Sequence, residues 1–164
     1  GYEAREIKSL SIEDIEELRR GGGWGLALPA ELNGKPGPVH LLELKEELAL
    51  TDQQVAKITE IFDDMRSEAI AAGERLIAAE RELSQAFEID GLAKGELRKL
   101  VEASEAARAD LRYVHLSRHL STTSLLTTQQ VDRYRVLRGY ASDPCLEIPE
   151  GHDPTMWKKH NGCS

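Results

Sequence analysis

Large rings are scarce in this chain: two Trp, four Tyr and two Phe make up 5% of its 164 residues, although 40% are hydrophobic. Such a composition argues against a bulky core of one ordinary domain. The prominence of Ala, Leu, Glu and Arg points to long helices. Apolar runs are short as well. None approaches the roughly 20 residues that cross a bilayer, so no membrane span is expected. Basic residues are in deficit, 21 against 29 acidic, for a formal charge of −8. That balance argues against a nucleic-acid or anionic-membrane partner and suits metal cations or basic partners. Catalytic signatures are missing too: there is no nucleophile elbow, no phosphate-cradling loop and no paired catalytic carboxylates. Gly21-Gly-Gly23 lacks the G-x-x-x-x-G-K context and reads as a helix terminator or hinge. A non-enzymatic protein is the expectation.

What the chain does have is a repeat. Leu50-Thr-Asp-Gln-Gln-Val55 returns as Leu126-Thr-Thr-Gln-Gln-Val131. Thr51 and Thr127 stand where an N-cap hydroxyl accepts from the third helical N–H. Gln54 and Gln130 can reach back to the cap's own N–H, which completes a capping box. Leu50 with Val55, and Leu126 with Val131, are placed to close as hydrophobic staples.

Around these starts the chain divides into an N-terminal helix and Gly/Pro-rich arm (1–37), a helical domain (38–140) and an irregular C-terminal tail (141–164). Ser11-Ile-Glu-Asp14 predicts a short helix from Ile12 to Arg20, ended by the glycines. The stretch 24–37 predicts an ordered arm with one helical turn, pinned by Trp24, Leu26, Leu28 and Leu32. Pro38 opens a helix through about Leu48. The first capped start then launches the longest helix, about Asp52 to Phe87, with Val55, Ile58, Phe62, Met65, Ala69, Ala72, Leu76 and Leu83 forming one apolar stripe. Gly73 marks either a softened point or a close helix approach. After a turn at 88–95, a second helix runs about Glu96 to Ser124, and a last one from Gln129 to Arg138 before Gly139. Two long helices joined by a short turn lie antiparallel. The fold class expected is all-α, a long helical hairpin with shorter flanking helices. Because thin amphipathic helices bury little surface alone, a hairpin-based homodimer is expected.

His115 and His119 are the sharpest chemical pair. An i, i+4 spacing puts both imidazoles on one helix face, close enough to share a metal ion. The segment has the outer spacing of a zinc-peptidase H-E-x-x-H helix, but Leu116 occupies the place of the general base, leaving a binding pair without a catalyst. Hairpin geometry lets Asp64, Met65 and Glu68 approach His115, and Glu60 and Asp64 approach His119, with His40 closing the group. A set of His40, His115, His119 and a carboxylate, Asp64 or Glu68, suits Zn, Ni, Co or Cu. The alternative is structural: half-buried histidines hydrogen-bonded to Asp64 or Glu68. In the tail, His152, Met156 and His160 form a possible second metal cluster between Cys145 and Cys163. Its competitor is a disulfide-closed tail capped by Trp157, Pro154 interrupting any helix.

The repeated L-T-x-x-Q resembles the motif of the periplasmic Spy/CpxP family, over roughly residues 38–140, and lies closest to its heavy-metal sensors of the CnrX/ZraP type. The resemblance implies a small, helical, non-enzymatic dimer in the periplasm, its export signal removed. His40 stands near the first ligand position of the sensor site, with Leu44 where a second His is expected, and His115 and His119 stand near a His/Met pair. In that oxidising compartment Cys145 and Cys163 pair, closing a loop worth about 3 kcal/mol. Two functions follow as expectations: a metal-binding or metal-sensing protein of the envelope stress or heavy-metal resistance response, or an ATP-independent Spy-like chaperone that holds unfolded clients. The acidic balance counts against the second. A partner among envelope signalling proteins is implied by the first.

Overall fold

Both repeated starts fold as capping boxes. Thr51 Oγ1 accepts from Gln54 N at 3.1 Å while Gln54 Oε1 accepts from Thr51 N at 3.0 Å, and Thr127 and Gln130 repeat the pattern at 3.1 and 3.0 Å. The computed structural model describes residues 1–163, and its regular elements are all helical. Ser164, the end of the 141–164 tail, lies outside the described residues. After a 3₁₀ turn at Tyr2–Ala4 come α1 (Ile12–Arg19), α2 (Leu28–Glu31), α3 (Pro38–Glu43), α4 (Asp52–Ala86), α5 (Lys94–Thr123), α6 (Thr128–Leu137) and α7 (Pro154–His160).

The 35 residues of α4 make a rod of about 50 Å. The 30 residues of α5 return antiparallel along it, so that the start of α4 meets the end of α5. There the two repeats touch. Gln54 Nε2 donates to Gln130 Oε1 at 2.8 Å, and Gln130 Nε2 donates to Gln54 Oε1 at 3.0 Å. Gln54 Nε2 also reaches the Leu125 carbonyl at 2.9 Å. Each amide thus closes its own cap and binds the other cap, fastening α6 across the open end of the hairpin.

Two apolar clusters fill the interior. One gathers the α4 and α5 stripes under α1 and the start of the chain, with Ile7, Leu18, Leu76, Ile77 and Leu111 at its centre. The other lies at the open end and joins Leu41, Leu48, Ile58 and Tyr134, with the staple leucines Leu50 and Leu126 packed against it. Of the expected α4 stripe, Ile58, Met65, Ala69, Ala72 and Leu76 are buried, with Ile77 beside them, and Val55, Phe62 and Leu83 are half-buried. Gly73 records a close approach: a Cβ there would stand 2.8 Å from the Leu18 carbonyl oxygen of α1.

Three expectations need correction. α3 stops at Glu43 instead of running to Leu48. The chain from Leu44 makes a separate turn closed by a Schellman pair, Leu50 N to Lys45 O and Ala49 N to Glu46 O, both 3.0 Å, with Ala49 at φ 48°. That reversal tucks Leu48 into the core before Thr51 caps α4. Leu28 and Leu32 do not pin the arm, since both are exposed; Leu26 is the buried leucine, and Glu31 joins it. The tail is not wholly irregular either. Pro154, read as an interruption, takes the first turn of α7, where its missing N–H costs nothing, and Asp153 caps the helix through Met156 N. Cys145 and Cys163 are joined in a disulfide, and Trp157 Nε1 donates to the Pro144 carbonyl at 2.7 Å.

Replacing Gln54 or Gln130 by Ala should each cost about 1–3 kcal/mol, because a cap bond and the cross-pair are lost together. In the double variant the cost should fall short of the sum by at least about 0.5 kcal/mol. Urea unfolding of the four proteins measures this coupling. Gly73→Ala should destabilise despite the gain of about 1 kcal/mol in helix propensity, since the Leu18 backbone blocks the new methyl. A raised urea midpoint for that variant would contradict the packing.

Candidate functional site

Along α5 the buried face changes character. Leu111 and Val114 are apolar, but His115, His119 and Thr122 are polar and no more than 8% exposed. Their spacing puts them on one side of the helix. What they face is the arm, whose Gly- and Pro-rich backbone has no ladder to satisfy its carbonyls. Thr122 Oγ1 donates to the Pro36 carbonyl at 2.5 Å, and His119 Nδ1 to the Lys35 carbonyl at 2.6 Å. His115, a turn further back along α5, lines a cavity together with Gly22.

The bond to Lys35 orients the His119 ring. A carbonyl only accepts, so Nδ1 of His119 is a donor, and in the neutral ring Nε2 is the nitrogen with the lone pair. Gly37 lies in front of that nitrogen: a Cβ there would stand 2.6 Å from Nε2. His115 Nε2 is buried without any hydrogen-bond partner. Its pKa is lowered by burial first, then by the charges of His119 and Arg118, so the ring is kept in the neutral form that binds metals.

The arm contributes a carboxylate that the sequence did not single out. α2 carries Glu31 inward until it is 7% exposed. Its Oε1 accepts from the Tyr134 hydroxyl and, at 3.1 Å, from the Tyr140 hydroxyl, with Arg138 Nε 3.4 Å away. Burial and the neighbouring carboxylate push the Tyr134 hydroxyl above the ordinary tyrosine range, so it remains a donor. Glu31 Oε2 has no hydrogen-bond partner and lies 3.9 Å from His119 Nδ1.

Glu31, His40, Met65, His115 and His119 line one cavity of about 330 Å³, closed on the arm side by Gly21, Gly22, Gly23, Gly25 and Gly37. The arm bends around it through left-handed residues at Gly21 (φ 76°), Trp24 (φ 47°) and Gly25 (φ 70°). Trp24 is a costly residue for that conformation. It is held by Nε1 donating to Asp14 Oδ1 and its backbone N to Glu17 Oε1, both 2.9 Å, and by Arg108 stacked 4.7 Å from the ring centre.

Of the residues expected at the site, His115 and His119 come together and His40 reaches the same cavity. His40 is tied at Nδ1 to Glu43 at 2.9 Å and at Nε2 to Arg138 at 3.3 Å. Asp64 and Glu68 do not join them. Asp64 is exposed, and Glu68 pairs with Arg118 at 2.8 Å. Met65, one position on, takes the inward place because the helical stripe buries 58, 65, 69 and 72 and turns 64 and 68 outward. The alternative of histidines bonded to Asp64 or Glu68 is corrected accordingly: His119 bonds to the Lys35 carbonyl, and neither carboxylate reaches His115. Among the described residues no three His, Cys, Asp or Glu side chains already converge tightly enough to hold a metal ion. In the tail, His152 packs edge-on against Trp157 at 4.8 Å, while Met156 and His160 are exposed on α7. Glu31 was not legible as a site residue: one acid in a Gly/Pro-rich stretch has no periodicity to show which way it points.

Comparison of the chain with protein-family models, with characterised proteins and with solved structures returns no match.

A histidine whose folded pKa lies below its unfolded value of about 6.5 favours unfolding when protonated. Its contribution is complete above about pH 6.5 and is lost as pH falls through the lowered value. Urea midpoints should therefore drop more steeply below pH 6.5 in the parent protein than in His115→Asn. Equal slopes would show that His115 protonates freely in the fold.

Proposed function

We propose that this is a non-catalytic periplasmic metal-binding protein of the sensing type, its site being the cavity between the glycine-lined arm and α5. The observation that carries the reading is the pair of imidazoles. His119 donates one ring nitrogen to a backbone carbonyl and turns the other toward Gly37, while His115 holds a buried nitrogen with no partner. Metal-binding histidines characteristically donate their second nitrogen to a carbonyl or carboxylate, which fixes tautomer and orientation. An unpartnered buried nitrogen costs about 1–3 kcal/mol unless something binds it.

Two imidazoles on one helix face are the ligand type that suits a borderline cation such as Zn, Ni, Co or Cu. His115 and His119 would hold it, with His40 and the Met65 thioether on the same wall. A bound cation would add a positive charge at the buried face of α5 beneath the arm. The chain's own groups do the rest. Lys35 and Pro36 carbonyls dock the arm on α5, burial keeps His115 neutral, and Gly37 leaves room beside His119. A change in how the arm rests on the hairpin would be the signal read by a partner in the envelope. The Cys145–Cys163 disulfide supports an oxidising compartment. The L-T-x-x-Q repeat supports the likeness to the Spy/CpxP family, but in this chain it serves the cap and the cross-pair, which any function would need.

Isothermal titration of the metal-stripped protein with Zn(II), Ni(II), Co(II) and Cu(II) tests this. At least one should bind stoichiometrically, and His115→Ala with His119→Ala should abolish that binding. Unchanged binding in the double variant would remove the site, and binding of none would remove the function.

A further inference from the structure

The cavity of about 330 Å³ beneath the arm is larger than a single ion needs and falls in the size range of small-molecule sites. At about 30 Å³ for each water-sized group, it has room for about ten non-hydrogen atoms. Much of its wall is apolar, with Ala27, Pro38 and Met65 facing Leu28 and Val39. The last two are 52% and 40% exposed and belong to neither core cluster. Gly23 adds open space. It is not left-handed like Gly21 and Gly25, and a Cβ on it would meet no atom within 4 Å, so neither backbone nor packing demands a glycine there.

The charge in this wall has one sign. Apart from the three histidines, Glu31 is the one acidic or basic side chain among the described residues that line the cavity. Tyr134, Tyr140 and Arg138 are gathered at its Oε1, while Oε2 has no partner. His119 Nδ1, 3.9 Å from Oε2, donates to the Lys35 carbonyl instead. Burial keeps His115 neutral, so that ring adds no opposing charge. A buried acceptor without a donor is costly until something brings one.

We infer that this cavity binds a small organic cation: an apolar body of one ring or a short chain, lying against Leu28, Val39 and Met65, with an ammonium group at the Glu31 carboxylate. The inference goes beyond the metal reading and does not rest on it. A metal ion needs several converging lone pairs, whereas an ammonium needs one acceptor and an apolar wall for the rest of the molecule. Charge selects the class. An ammonium donating to a carboxylate forms a charge-assisted bond, roughly twice as strong as the bond an alcohol makes. A ligand carboxylate would meet Glu31 as a like charge, with no Lys or Arg in the lining to receive it.

The test is an NMR titration of the isotope-labelled full chain in the presence of a chelator, with 2-phenylethylammonium, 2-phenylethanol and phenylacetate as probes. The ammonium should bind saturably, move the amide signals of Gly21, Gly22, Gly23, Gly25 and Gly37, and bind at least about tenfold tighter than the alcohol. Phenylacetate should be the weakest of the three. Glu31→Gln, which keeps an oxygen for the tyrosines, should erase the preference for ammonium over alcohol. Gly23→Leu puts a side chain into the open space and should weaken both probes. That position is outside the network around Glu31, so it decides the matter if Glu31→Gln does not fold. Equal affinity for the three probes, a preference that survives in Glu31→Gln, or undiminished binding in Gly23→Leu would each overturn the inference. Because the chelator removes metal, the two readings fail separately: Zn(II) binding without ammonium binding would overturn this inference alone, and ammonium binding in a protein that takes up none of the four metals would uphold it while the metal function falls.

Discussion

A Gly- and Pro-rich segment laid against a helical hairpin has no ladder of its own, and each carbonyl it buries must find a donor. That constraint shapes the centre of this molecule. α5 meets it by giving up core positions to polar side chains: Thr122 serves Pro36 and His119 serves Lys35. Apolar residues there would have filled the stripe and left the arm's carbonyls stranded, at about 1–3 kcal/mol apiece. Because imidazole has two nitrogens, satisfying the arm with one leaves the other facing inward. The polar lining of the cavity is thus a by-product of holding the arm down.

The second constraint acts at the open end of the hairpin. Long helices joined at one end only would splay at the other. The two capping boxes prevent this because each glutamine has an oxygen for its own cap and an amide N–H for its counterpart. A Glu in either place would close its cap equally well but would have no N–H to offer across the pair. The choice of Gln in both repeats is explained by that second bond. Beside it, Tyr134 enters the core of the open end and carries its hydroxyl to Glu31, so the pair, α6 and the arm carboxylate form one connected unit.

Much of the fold was legible because helices advertise themselves by period. The stripe from Val55 to Leu83, the repeated caps and the turn at 88–95 locate α4, α5 and α6 to within about two residues of where they lie. The site was legible by half. The i, i+4 histidines share a face whatever surrounds them, and they do share a cavity. Their acidic neighbours were misplaced, since register along a hairpin brings residues near one another without saying which point inward. Asp64 and Glu68 are on the outer face of α4, and the inward acid came from α2, in a segment with no repeat to read.

The amino-acid order alone therefore determined which stretches are helical, where they begin, and that two imidazoles stand side by side, because those properties depend on neighbours within about four residues. Only the tertiary structure decided that the arm folds back over α5, that Glu31 turns into the cavity, and that Gln54 meets Gln130 across 76 positions. Those contacts depend on how separate elements pack, and no local pattern encodes the docking of a chain segment that has neither a helical nor a strand period.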